Sequence, residues 1–229
     1  MNRNKICFIM CANNDICVDE CVLYIDSLSV PDGTEVEILT VKDGTSMLAG
    51  YREGYNCTDA EYIVFMHQDV FILNRFFIHD ILDIFRSDDN IGMIGMVGAP
   101  HMSPDFIMWN NERIGNFFMK GDPTDYDGYR YDIVKDGYER VEVIDGFLMV
   151  YRRMKGKDLL IRDDIFTGWD FYDVSLSFEV AGENRKIVVP WQRMSWCMHD
   201  DLGVQAFLDY DKYRLLALRE YGLERNKDK

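Results

Sequence analysis

Basic side chains are scarce: 25 lysines and arginines stand against 40 aspartates and glutamates in 229 residues, a formal charge of −15 and a pI near 4.6. A surface of that sign repels the nucleic-acid backbone and anionic lipid, so neither is expected as a partner. An anionic ligand such as a nucleoside diphosphate would have to be met by a divalent cation or a few placed arginines. No stretch approaches the roughly 18 to 20 uninterrupted apolar residues that span a bilayer. The opening "MNRNKICFIMCANND" has an apolar run of buried-strand length, without the long apolar region and small-residue cleavage site of a signal peptide. The expectation is a cytoplasmic protein with no integral membrane segment. Cys7, Cys11, Cys17, Cys21, Cys57 and Cys197 form no CxxC pair. A thiolate metal site built on the first four is conceivable, but cysteine is among the most buried residue types and a packing role is favoured. Also missing are GxGxxG, GxxxxGK[ST] and GxSxG, which leaves the usual dinucleotide fold, the P-loop and the nucleophile elbow unsupported.

What is present reads as a single folded domain. Hydrophobic residues make up 48%, charged 28% and aromatic 14% of the chain, and the aromatic share is too high for a disordered one. "KICFIMCAN" reads as a strand, "DICVDECVLYIDSLSV" as an amphipathic helix and "EVEILTV" as a second strand. A short helix "SMLAGYREGYNC", the strand "EYIVFM", a helix through "FFIHDILDIFRS" and the strand "IGMIGMVGA" follow. This alternation predicts βαβ units and a largely parallel sheet between helices. Residues 100–140 form a loop-rich insertion carrying Trp109, Tyr126, Tyr129 and Tyr131. The insertion is too long for a mere connection, and its rings suit sugar faces or the packing of a lid. "YERVEVIDGFLMVYRR" reads as one long strand with Asp145 and Gly146 partway along it. A helix "DFYDVSLSFEVAG", a strand "KIVVPW", a polar segment "RMSWCMHDDLG" and a final helix "VQAFLDYDKYRLLALREYG" complete the chain. That last helix can dock on its own domain or on a second subunit.

The strand through residues 61–66 breaks on His67, Gln68 and Asp69 before the sequence turns apolar again. In an open parallel sheet the carboxyl ends of the strands face the ligand crevice, and Asn13, Asp43 and Asp69 all fall just past strands. Each alone reads as a cap or turn residue. Three at one edge, with His67 beside the third, favour a site. A carboxylate there suits Mg²⁺ or Mn²⁺, and the imidazole of His199 in "WCMHDDLG" is a common companion ligand for Mn²⁺. Asp170 and Asp173 are expected in the first turn of a helix, where the macrodipole alone would favour them. Gly168 and Trp169 ahead of them suggest a tight aromatic-walled turn.

Taken in order, "CFIMCANND", "KDGTSMLAGYREGY", "FMHQDVFI", "DGFLMVYRR", "GWDFYDVSLSFEVAGENRKIVVP" and the His199 loop resemble the nucleotide-diphospho-sugar glycosyltransferases of the GT-A fold, close to family 2. More narrowly they resemble the bacterial glycosyltransferase-like family named for a domain of a streptomycin-biosynthesis protein. The resemblance implies an α/β protein of three α/β/α layers around a mostly parallel sheet. It implies one domain over 1–229, with a nucleotide-binding half at 1–99, an acceptor and catalytic half at 100–203 and a C-terminal helix in 204–229. The implied activity is inverting transfer of a sugar from a nucleotide-diphospho-sugar, by resemblance a UDP-sugar, to the hydroxyl of a saccharide or glycolipid acceptor in bacterial polysaccharide or glycoconjugate synthesis. Asn13, Asp43, Arg52 and Gln68 would serve the nucleotide, with Arg52 near the pyrophosphate. Asp69, His67 and His199 would serve a divalent metal, Mn²⁺ or Mg²⁺. Asp145, Gly146 and Trp169 would lie on the acceptor side, and Asp170 or Asp173 would be the general base. Two departures stand out: His67 replaces the first carboxylate of the family's DxD, and "DFYD" replaces its Glu-Asp pair. Three other readings stay open: a non-catalytic relative that binds a sugar nucleotide or a partner protein, a nucleotidyltransferase whose Gly-rich N-terminal loop is absent here, and an unrelated α/β interaction domain.

Overall fold

The first apolar run becomes β1 (Asn2–Ala12), in which Ile6 to Met10 are fully buried. Successive side chains of a strand point to opposite faces, so a run buried without alternation needs cover on both. Cys7 and Ile9 belong to one apolar cluster, and Ile6, Phe8 and Met10 to the other. The structure, a computed structural model, describes residues 1–119, 129–132, 134–200 and 209–225.

After β1 come α1 (Asp15–Asp26), β2 (Glu35–Lys42), α2 (Met47–Cys57), β3 (Ala60–His67), β4 (Val70–Ile72) and α3 (Phe77–Ser87). β1 lies between β2 and β3, parallel to both. Helices α1 and α3 cover the face of Phe8, with Cys21, Ile25, Ile81 and Phe85 buried against it, while α2 covers the face of Ile9 through Leu48, Tyr51 and Tyr55. Gly50 and Gly54 let α2 settle this close, since a Cβ at either would collide with Cys11 Sγ or Ile9 Cγ2. Asn14 starts α1: its side chain accepts hydrogen bonds from Ile16 N at 3.1 Å and Cys17 N at 3.4 Å. Asn14→Ala is expected to lower stability by about 1 kcal/mol, the usual worth of such a cap. A thermal melt would show this as a drop of about 2–4 °C for a chain of this size.

The chain continues through β5 (Ile91–Gly95), β6 (Val97–Ala99), a 3₁₀ turn at Met108–Asn110, β7 (Ile114–Met119), β8 (Tyr129–Arg130), β9 (Tyr138–Val141), β10 (Val143–Ile144) and β11 (Leu148–Arg152). It closes with α4 (Tyr172–Gly182), β12 (Lys186–Pro190), β13 (Cys197–His199) and α5 (Tyr210–Arg225). The central sheet has the order β2-β1-β3-β11-β5-β12-β9. Only β11 and β9 oppose the other strands, so the sheet is mixed and mostly parallel. A smaller sheet, β10-β6-β7-β13-β4 with β8 beside β7, lies against it.

Several expected elements divide. "IGMIGMVGA" is two strands, because β5 joins the central sheet and β6 the smaller one. The expected long strand at 138–153 is three: Asp145 Oδ1 accepts the Phe147 N–H at 3.1 Å, which turns the chain between β10 and β11. Asp145 and Gly146 therefore lie in a turn and not partway along a strand. The polar segment near 193–203 contains β13. Helix α4 starts at Tyr172, later than expected, because Phe171 takes a left-handed conformation with φ of 63°. Asp170 thus precedes the helix and Asp173 alone lies in its first turn. The C-terminal helix docks on its own domain through Tyr213, Ala217 and Tyr221. No helix among the described residues is long and apolar enough to cross a membrane.

Candidate functional site

β1 and β3 end side by side, and their ends are stitched together by one side chain. Gln68 Oε1 accepts the backbone N–H groups of Asn13 and Asn14 at 3.0 and 2.9 Å, while its Nε2 donates to Asn13 Oδ1 at 2.6 Å. Both polar ends of Gln68 are thereby used in tying the two strand ends together. A cavity of about 250 Å³ opens at this edge, lined in part by Asn13, Asp43, His67, Gln68, Asp69 and Trp169. Asp43 reaches it from a turn held at φ of 61°, a conformation that aspartate tolerates better than most residues.

Two of these lining residues, His67 and Asp69, meet His199 beside the cavity. Asp69 Oδ1 lies 3.4 Å from His199 Nε2 and 3.9 Å from His67 Nδ1, and these two nitrogens are 3.3 Å apart. Burial disfavours the Asp69 carboxylate, but the imidazoles of His199 and His67 outweigh it and hold its pKa below the usual range. Burial, reinforced by His199, lowers the His67 pKa to about 4 against the opposing pull of Asp69. Near neutral pH the set is one ionised carboxylate and a neutral His67 imidazole, the protonation state that divalent-metal ligands require. Asp69 Oδ1 is buried and makes no hydrogen bond with the described residues. A buried carboxylate oxygen that faces two ring nitrogens without a well-formed hydrogen bond to either fits a bound cation better than it fits an empty site. This is the only such group of ligating side chains among the described residues, and no cysteine belongs to it. None of the six cysteines forms a disulfide; Cys7, Cys21 and Cys197 are buried, in keeping with packing.

His67 is held from two further sides. Its backbone N–H donates to the Phe147 carbonyl at 3.0 Å, and its Nε2 lies 2.5 Å from Tyr172 Oη. The Phe147 ring stacks on His199 at a centroid distance of 5.5 Å. The Asp145 turn and the start of α4 therefore pack on the cluster, which brings Asp145, Gly146 and Asp173 to this side of the molecule. Burial and then the charge of Asp145 push the Asp173 pKa up to about 7, and the Asp145 carboxyl is itself raised by burial. Asp170 is raised by burial and by Asp209. Of the two candidates, Asp173 is the one poised near neutrality, where a general base is most effective.

Other expected residues are placed differently. Arg52 does not line the cavity; its guanidinium pairs with Asp163 and donates to the Ile161 carbonyl. Trp109 and Tyr131 pack ring against ring with centroids 6.2 Å apart, and the Arg113 guanidinium carbon lies over both at 5.3 and 4.5 Å from their centroids. Tyr126 and the side chain of Tyr129 lie outside the described residues. Sequence reasoning missed Tyr172 altogether, and no local pattern marks a tyrosine whose partner is 105 positions away. A larger cavity of about 600 Å³ sits at the far ends of β4 and β13, against Trp191, Arg193 and Trp196. None of the expected site residues lines it, so size and chemistry choose different cavities, and the ligating cluster decides for the smaller.

Comparison with known proteins agrees with this fold. The structure of S. aureus TarS 1-349 in complex with UDP aligns over 94% of this chain and 65% of that one, with a TM-score of 0.59 and 11% identity. The mannosyltransferase PcManGT from Pyrobaculum calidifontis, in complex with GDP-Man and Mn²⁺, aligns over 94% and 61%, with a TM-score of 0.52 and 10% identity. At such identities the likeness is one of fold, the GT-A fold, and the chain spans less than two thirds of either relative. A search of curated protein sequences finds no match. The sequence pattern of the glycosyltransferase-like family matches residues 7–221, nearly the whole chain, and the protein belongs to that family.

Proposed function

We propose that the protein is an inverting glycosyltransferase that moves a sugar from a nucleotide-diphospho-sugar, taken to be a UDP-sugar, to an acceptor hydroxyl. The observation that carries this reading is the Asp69, His67 and His199 cluster, whose Asp69 and His67 line a cavity together with Asn13 and Asp43. In this reading Asn13 and Asp43 face the nucleoside, and Asp69, His67 and His199 hold a divalent cation, Mn²⁺ or Mg²⁺. That cation, when bound, neutralises charge on the diphosphate. Asp173 accepts the proton of the acceptor hydroxyl as that oxygen attacks the anomeric carbon. The new C–O bond forms as the bond from C1 to the diphosphate oxygen breaks, the electron pair leaves with the nucleoside diphosphate, and one displacement inverts the centre. Trp169, 53% exposed at the cavity rim, offers a ring for a sugar face. Residues 1–99 act as the nucleotide-binding half, 100–203 as the acceptor and catalytic half, and 204–229 as the C-terminal helical segment, within a cytoplasmic enzyme of bacterial polysaccharide or glycoconjugate synthesis.

Calorimetric titration of UDP and GDP, each with and without Mn²⁺, tests the reading. UDP binding that strengthens at least about tenfold with Mn²⁺ is expected, a gain of about 1.4 kcal/mol. Nucleotide binding with no sugar transfer from any UDP-sugar would instead favour a non-catalytic relative. No binding under any metal condition would leave an α/β interaction domain.

A further inference from the structure

The cluster has a support that the proposed reaction does not use. Tyr172, the first residue of α4, is buried, and its hydroxyl lies 2.5 Å from His67 Nε2, on the side of the ring away from Asp69. The other ring nitrogen, Nδ1, is the one that faces Asp69 Oδ1 and His199 Nε2. A neutral imidazole carries its proton on only one nitrogen, so Nδ1 can offer a lone pair only when Nε2 bears the hydrogen. That hydrogen needs an acceptor, and the Tyr172 oxygen is within reach. Gly146 makes the approach possible: a Cβ there would overlap Oη, Cε2 and Cζ of Tyr172. Tyr172 is further set by an edge-on contact with Tyr51, their ring centroids 5.9 Å apart.

We infer that Tyr172 is a positioning residue that fixes His67 with Nδ1 turned to the cation, by accepting the Nε2–H, and that Gly146 is required to admit its hydroxyl. The inference rests on the metal reading above and assigns Gly146 a task other than contact with the acceptor. Groups that accept the second N–H of a ligating histidine commonly contribute 10- to 100-fold to metal affinity. A phenylalanine at 172 keeps the ring and its packing but leaves the Nε2–H buried without an acceptor.

Mn²⁺ affinity, read by the loss of the free-ion EPR signal, separates the outcomes. Tyr172→Phe is expected to weaken Mn²⁺ binding by about 10- to 100-fold, to leave metal-free UDP binding unchanged and to shift the ¹⁵N resonance of His67 Nε2. Gly146→Ala keeps the hydroxyl but crowds it, and is expected to weaken Mn²⁺ in the same direction. Wild-type binding of Mn²⁺ with both variants within twofold of it would overturn the positioning role while the transferase reading stands. A wild type that binds no Mn²⁺ at millimolar concentration would overturn the metal reading itself, and the role of Tyr172 with it.

Discussion

Asp69→Ala is expected to abolish the Mn²⁺ enhancement of UDP binding, a loss of at least about tenfold, roughly 1.4 kcal/mol, with only a modest drop in melting temperature. Asp69 supplies the only carboxylate among the three ligating side chains, and its partners there are neutral or weakly basic rings. Without it a divalent cation would face two imidazoles and no formal negative charge, although hard cations such as Mg²⁺ and Mn²⁺ favour oxygen donors. The fold should survive the change, because the Asp69 carbonyl, which accepts from Asp200 N at 2.9 Å, is kept, and what is lost is the interaction of one carboxylate with His199 and His67. Calorimetry with and without Mn²⁺, beside a thermal melt, checks both halves. A variant that still shows wild-type metal enhancement would remove Asp69 from the site. His67 gives this protein a softer donor set than two carboxylates would, so a preference for Mn²⁺ over Mg²⁺ in the same titration fits the residues present.

The parts of this site visible in the sequence were those whose signal is local. A strand covered on both faces has no alternation, so polar residues at its end are conspicuous; this is why Asn13, His67 and Asp69 could be read directly. Helix α1 carried its own start signal in Asn14, and α2 in Ser46, whose hydroxyl accepts from Ala49 N at 3.1 Å. Interruptions set by tertiary pairing were not visible. β5 and β6 are separated by a single residue, Met96, yet belong to different sheets, and the apolar run that holds both shows no break because every position in it is buried. Phe171 is a bulky residue in a left-handed conformation, which no propensity would assign to it, and that geometry moved the start of α4 past Asp170. The contact between His67 and Tyr172 depends on how α4 lies across the ends of the strands, a matter of packing that sequence spacing does not encode.

Asp173→Asn is expected to lower kcat by about 10²- to 10⁴-fold, the usual contribution of a positioned base, with a much smaller change in KM. The isosteric amide keeps the acceptor oxygen but cannot take a proton. In the wild type the rate should climb about tenfold per pH unit on the acid side and level off near the Asp173 pKa of about 7, because only the carboxylate form serves as base. Asp145→Asn should move this limb to lower pH, since the neighbouring charge is the second cause of the shift after burial. Stability should run the other way. A carboxyl whose folded pKa lies above its unfolded value contributes fully below about pH 4, where both states are protonated; that contribution is lost as pH rises towards about 7, because the unfolded chain gives up the proton first. Asp173→Asn is therefore expected to match the wild type near pH 4 and to be more stable by about 2 kcal/mol at pH 8, after a discount for the partial exposure of the side chain. Urea unfolding at the two pH values, beside a pH–rate profile, would show one substitution that removes activity and strengthens the fold. Such a trade belongs to a residue kept charged against its surroundings for the sake of the reaction. Equal loss of activity and of stability at pH 8 would make Asp173 a structural residue and return Asp170 to the role of base.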